Sequence, residues 1–101
     1  MSIGKYIRAL RQENEKTLHQ VSIKTDIDSP LLSKIERGER LPTSEQISKL
    51  SEFYGVNKPL LESKCIAEKI LKNHGASKVT YDAVVMVQEV LHKYSVKETD
   101  K

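Results

Sequence analysis

Hydroxyl and cationic side chains cluster in one stretch of this 101-residue chain, which holds Thr17, His19, Lys24, Ser29, Lys34, Arg37 and Arg40. Such groups donate hydrogen bonds to anions and polar edges. No nucleophile and base stand among them in the strand-turn-helix context that covalent catalysis needs. His19, His74 and His92 are scattered, with no His-x-x-x-His or Cys-x-x-Cys spacing, so no metal site is expected. There is no glycine-rich phosphate loop. The chain therefore reads as a non-enzyme that needs no cofactor. Cys65 falls in an apolar helical stripe and reads as a packing residue.

The elements that must position these side chains can be read from caps and periodicity. Residues 17–24 form one short helical segment, and the connector is Thr25-Asp26-Ile27-Asp28. Asp28 is a good N-cap for a second segment, and Pro30 sits in its first turn, where a missing N–H costs nothing. Val21, Ile27, Leu32 and Ile35 let both segments pack on one small core. This pair has the size and polarity of a helix-turn-helix, a device that places one helix in the DNA major groove.

A preceding helix is expected from about Ile3 to Asn14, with Ile3, Ile7 and Leu10 as its stripe and Tyr6 beside them. The third helix runs from about Ser29 to Arg37 and stops at Gly38. Thr43 or Ser44 caps a fourth, whose inner face is Ile47, Leu50 and Phe53 or Tyr54, and Gly55 ends it. Asn57 and Pro59 open a long fifth helix that reaches about Asn73. Beyond Thr80, Val84, Val87, Leu91 and Tyr94 step by three, four and three, as one helical stripe does. The valine cluster allows a strand there, but the spacing and length favour a helix.

Lys and Arg number 17 against 14 Asp and Glu, a net charge of +3. Bulk charge alone does not argue for nucleic acid, so any basic footprint must be local. Charged residues make up 31% of the chain and aromatics 5%, which suits a soluble helical protein better than a β-sandwich. One cysteine excludes an internal disulfide and fits a reducing compartment. No signal peptide or membrane span is expected, and a cytoplasmic location is.

Ile27-Asp28-Ser29-Pro30-Leu31-Leu32-Ser33-Lys34-Ile35-Glu36-Arg37-Gly38, followed by Leu41-Pro42, resembles the lambda-repressor/Cro-like helix-turn-helix domain, often called the XRE family. Ile7-Arg8-Ala9-Leu10-Arg11 resembles that family's first helix, and residues 47–56 resemble its fourth. The resemblance covers roughly residues 3–62. It implies an all-α fold, a five-helix lambda-repressor-like bundle at residues 1–62. A C-terminal helical extension at residues 63–101 would dimerise or complete the core as a hairpin.

The resemblance also implies roles. Ser29, Pro30, Leu31 and Lys34 would meet base edges, Lys34 donating to guanine O6 or N7. Thr17, Leu18, His19, Lys24, Arg37 and Arg40 would contact phosphates, the first three through the start of the second helix. Arg11 and Glu36 would form a structural ion pair. Two positions depart from the family: Pro30 stands where a small polar residue is common, and Asp26 where glycine is. The first implies fewer direct base contacts, and the second a turn that Asp tolerates.

The expected function is that of a sequence-specific transcriptional regulator, a repressor, acting as a homodimer on a near-palindromic operator in double-stranded DNA. Val84, Val87, Leu91 and Tyr94, spaced like two heptads of a coiled-coil seam, are the expected dimer interface. The alternative is an antitoxin-like interaction module whose C-terminal hairpin binds another protein, with DNA binding secondary.

Overall fold

The computed structural model describes residues 2–99. They form six helices, with no strand among the described residues: α1 (Ile3–Glu13), α2 (Leu18–Thr25), α3 (Ser29–Glu36), α4 (Ser44–Tyr54), α5 (Lys58–His74) and α6 (Lys78–Thr99). Six helices stand against the five of the expected bundle, the sixth being the valine-rich C-terminal extension, which is a full helix. Its apolar residues recur at helical spacing, and no neighbouring strand is present to reward the β-branched side chains.

Local chemistry sets the helix starts. Thr17 and Thr43 each build a capping box with the glutamine three residues on, Gln20 and Gln46. The Asp28 carboxylate accepts the Leu31 N–H at 2.8 Å, and Pro30 sits in the same first turn. The Asn57 side chain accepts the Leu60 N–H at 2.8 Å and opens α5. The start of α1 is different. Its Ile3 N–H donates 2.8 Å to Glu68 Oε1, a carboxylate from α5 that is buried. A carboxylate at a helix N-terminus satisfies an orphan donor and complements the dipole.

All five connectors place one residue in left-handed backbone: Glu15, Asp26, Gly38, Gly55 and Gly75. Asp26 ends α2 at φ 59°, in the place where the resembled family favours glycine. Gly38 follows α3 at φ 78°, and the N–H groups of Gly38 and Glu39 close on the carbonyls of Ile35 and Lys34 at 3.1 and 2.9 Å.

The chain divides into two compact units, the first running through Lys69 and the second starting at Ile70. In the first, α2 packs on α3 and α4, and α1 packs on α3. Their shared core is Ile3, Ile7, Val21, Ile27, Leu32, Ile35, Ile47, Leu50, Leu61 and Cys65. Leu61 and Cys65 come from α5, so its first turns complete this core. In the second unit, the Thr80 hydroxyl donates 3.1 Å to the His74 carbonyl, and Ser77 Oγ accepts the Thr80 N–H at 3.2 Å. These two bonds close the turn into α6.

Gly4 sets how closely α1 approaches α3. A Cβ at this position would lie 2.4 Å from the Ile35 carbonyl oxygen and 2.7 Å from that of Glu36. Those atoms are backbone and cannot rotate aside. Gly4→Ala gains about 1 kcal/mol of helix propensity but forces an overpacked contact costing roughly 1–3 kcal/mol or more. The expected outcome is a net loss of stability, read as a lowered denaturant midpoint at unchanged slope.

Candidate nucleic-acid interface

Leu32, Ile35 and Glu36 face the core from α3, while Pro30 and Lys34 are exposed on its other side and Ser29 and Ser33 are half-buried. An eight-residue helix anchored along one face leaves the opposite face free to enter a groove. Leu31 departs from the sequence expectation in part. It is half-buried and packs against the core cluster, so its side chain is shared between the domain and the exposed face.

Two buried contacts hold the helix in place, one at each end of α1. Gly4 meets the carbonyls at the exit of α3. At the other end Arg11 reaches Glu36 in a two-pronged fork, Nε to Oε2 at 2.8 Å and Nη2 to Oε1 at 2.9 Å. The remaining Arg11 prong donates 3.0 Å to the Lys16 carbonyl in the α1–α2 connector. The side chains are only 17% and 6% exposed, so this is a desolvated pair. Hydrogen bonding to Glu36 raises the Arg11 pKa further, against the opposing effect of burial. Tyr54 of α4 lies in the same field. Burial pushes its phenol up to about 12, with the Glu36 charge adding to the shift. Its hydroxyl, out of solvent contact, finds no hydrogen-bond partner among the described residues.

The N-terminus of α2 offers fewer donors than the sequence suggests. The Thr17 N–H donates to Gln20 Oε1 at 2.8 Å, and the Gln20 N–H donates to Thr17 Oγ1 at 3.1 Å. The capping box thus occupies the Thr17 amide. The amides of Leu18 and His19 have no acceptor among the described residues, while the Leu18 side chain packs on the core. Lys24 and His19 are exposed.

Arg37 is the feature that sequence reasoning missed in part. Its guanidinium bonds the Glu39 carboxylate and the Ser33 hydroxyl, folding it back along the exit of α3. The same bond holds the Glu39 carboxyl below its ordinary range. The two charges are separated by one residue around the Gly38 turn, a proximity no helical spacing rule encodes. Arg40 is exposed, with no ion pair among the described residues.

Among the described residues no group of three or more His, Cys, Asp or Glu side chains is placed to hold a metal ion. No helix among them is long and apolar enough to cross a membrane. The short helix pair, its outward α3 face and its anchored inner face define a DNA-binding helix-turn-helix. The family model described as helix-turn-helix matches residues 7–61, more than half of the chain, and the protein belongs to this XRE-type, lambda-repressor/Cro-like family. Searches of the curated proteins and of the solved structures return no significant match.

The buried fork carries a direct consequence. Arg11→Ala leaves the Glu36 carboxylate desolvated and unpaired, a loss of roughly 3–5 kcal/mol. That is a large share of the ~5–15 kcal/mol that holds a domain together. The expected outcome is a sharply lowered melting temperature by circular dichroism, with DNA affinity lost only in step with the folded fraction.

Proposed function

We propose that this DNA-binding regulator of XRE type is a sequence-specific transcriptional repressor, acting in the cytoplasm as a homodimer on a near-palindromic operator. The observation that carries the reading is the two-sided α3: Leu32, Ile35 and Glu36 locked inward, Pro30 and Lys34 presented outward, with Ser29 and Ser33 at the edge. Ser29 and Lys34 supply polar contacts to base edges, and Pro30 with the free part of Leu31 packs on thymine methyls. Arg37, Arg40, Lys24 and the amides of Leu18 and His19 supply phosphate contacts around that face. Thr17 acts indirectly, by capping the helix that carries those amides. Occluding polymerase requires no surface beyond the DNA-binding one, which favours repression. The chemistry requires no catalytic group and no cofactor.

A second reading rests on a different observation. Eight large apolar side chains of α6 are exposed, from Val79 to Tyr94. An antitoxin-like module would use them to bind another protein, with DNA binding secondary.

Selection from random duplex DNA at near-physiological salt separates the two. A symmetric enriched site with half-sites about one helical turn apart supports the repressor reading. Weak, sequence-blind binding overturns it. On the selected site, Lys34→Ala is expected to cost ~1–3 kcal/mol and to relax preference at one base position. An equal loss on random DNA removes it from the base-reading set. Glu39→Gln releases Arg37 from an exposed ion pair, which is worth at most about 1 kcal/mol, and removes a negative charge beside the DNA. Tighter binding is expected, with the slope of log affinity against log salt steeper by about one. An unchanged slope places Arg37 away from the phosphates.

A further inference from the structure

In α6, from Lys78 to Tyr94, only Thr80 is buried and only Val85 is half-buried. A helix without a buried face is marginal in water, because tertiary packing supplies most helical stability. Tyr81, Val84, Val87, Val90, Leu91 and Tyr94 are each 44–67% exposed. In heptad terms they occupy the seam and its flanks, whereas Lys78, Asp82, Glu89 and Lys93 all lie on the outer face. The two tyrosines carry roughly 150–250 Å² each, and together with the smaller aliphatic side chains, about half exposed, the face amounts to at most roughly 600 Å² per copy. Two copies joined through this face bury at most about 1,200 Å², the lower bound of a specific interface.

The face is not uniform along its length. Beside the first half of α6, the last turns of α5 leave an apolar groove of about 350 Å³, lined by Ile70, Val79, Ala83, Val84 and Val87. His74, Ser77 and Thr80 add polar atoms at one end of it. Farther along α6, Ile70 also borders Val87, Gln88, Leu91 and His92, and Tyr94 stands exposed beyond them.

We propose that this groove is filled by Leu91 and Tyr94 of a second copy, whose α6 runs antiparallel with the two-fold axis near Val87. In that register Val87 meets its own symmetry mate, Val84 meets Leu91, and Thr80 meets Tyr94. Each contact occurs twice, as an isologous interface requires. The apolar ring of Tyr94 enters the groove and its hydroxyl reaches the polar end at His74 and Ser77, the two-ended behaviour typical of tyrosine at interfaces. A parallel pair would set groove against groove and leave both empty. The inference rests on the homodimer reading and adds its geometry.

The test uses the full chain. Sedimentation equilibrium is expected to show a dimer at micromolar concentration, and Leu91→Asp a folded species at least tenfold weaker in self-association. A wild-type monomer at 100-fold higher concentration overturns the inference. Orientation is read from spin labels on Lys78→Cys and Gln88→Cys, with wild type as the control for labelling at buried Cys65. The antiparallel pair separates the position 78 labels by at least about 27 Å along the axis and keeps the position 88 labels close. Both label pairs under about 20 Å mean parallel packing and overturn the proposal, even if Leu91→Asp fails to fold. A dimer of the expected geometry without sequence-selective DNA binding defeats the repressor reading alone. A monomer that still selects a DNA half-site defeats this inference together with the homodimer reading and leaves sequence-selective DNA binding standing.

Discussion

The contact between α1 and the exit of α3 governs the rest of the DNA-binding unit. An eight-residue helix has little stability of its own, and its orientation has to be imposed from outside. Gly4 lets the α1 backbone come down onto the carbonyls of Ile35 and Glu36, while the Arg11–Glu36 fork pins the other end. One contact works by having no side chain and the other by having two charged ones. The pair adds less net stability than its distances suggest, because both ions were desolvated to form it. Its value is geometric: a bidentate fork admits one orientation, so the outward face of α3 points in one direction.

The same contact accounts for Glu68. Once α1 is drawn against α3, the Ile3 N–H is buried and needs an acceptor. The carboxylate of Glu68 supplies it at 2.8 Å. A residue from α5 thereby becomes part of the first unit, which runs through Lys69. The first part of α5 contributes to this unit through Leu61, Cys65 and Glu68, although none of these residues belongs to the helix-turn-helix itself.

The outward face is economical in charge. Lys34 and Arg40 are exposed cations, whereas Arg37 is shared with Glu39 and Ser33. An exposed ion pair of this kind exchanges partners at little cost, so Arg37 is preoriented along α3 without being committed. With Pro30 in the first turn, the polar side chains this face presents are Ser29, Ser33 and Lys34. In the proposed function, such a face would draw its affinity from phosphates and its selectivity from few, well-placed groups.

Much of this was legible in the sequence. Thr17 with Gln20, Asp28 with Pro30, Thr43 with Gln46, and the glycines after α3 and α4 mark boundaries through local hydrogen bonding that depends on neighbours three or four residues away. The core positions Val21, Ile27, Leu32 and Ile35 follow from periodicity, and the family follows from five such pieces in order. Helix α6 was legible as a stripe, though its valines also fitted a strand until the tertiary structure offered no sheet to join. What the sequence could not carry was proximity across distance. Gly4 looks like an ordinary first-turn glycine until the α3 carbonyls stand 2.4 Å from its absent Cβ. Glu68 looks like a solvated helix residue until it meets the Ile3 amide 65 positions away. Local caps and periodicities are written in adjacent residues, whereas desolvation and close approach exist only once the helices are packed, and those decided which way α3 points.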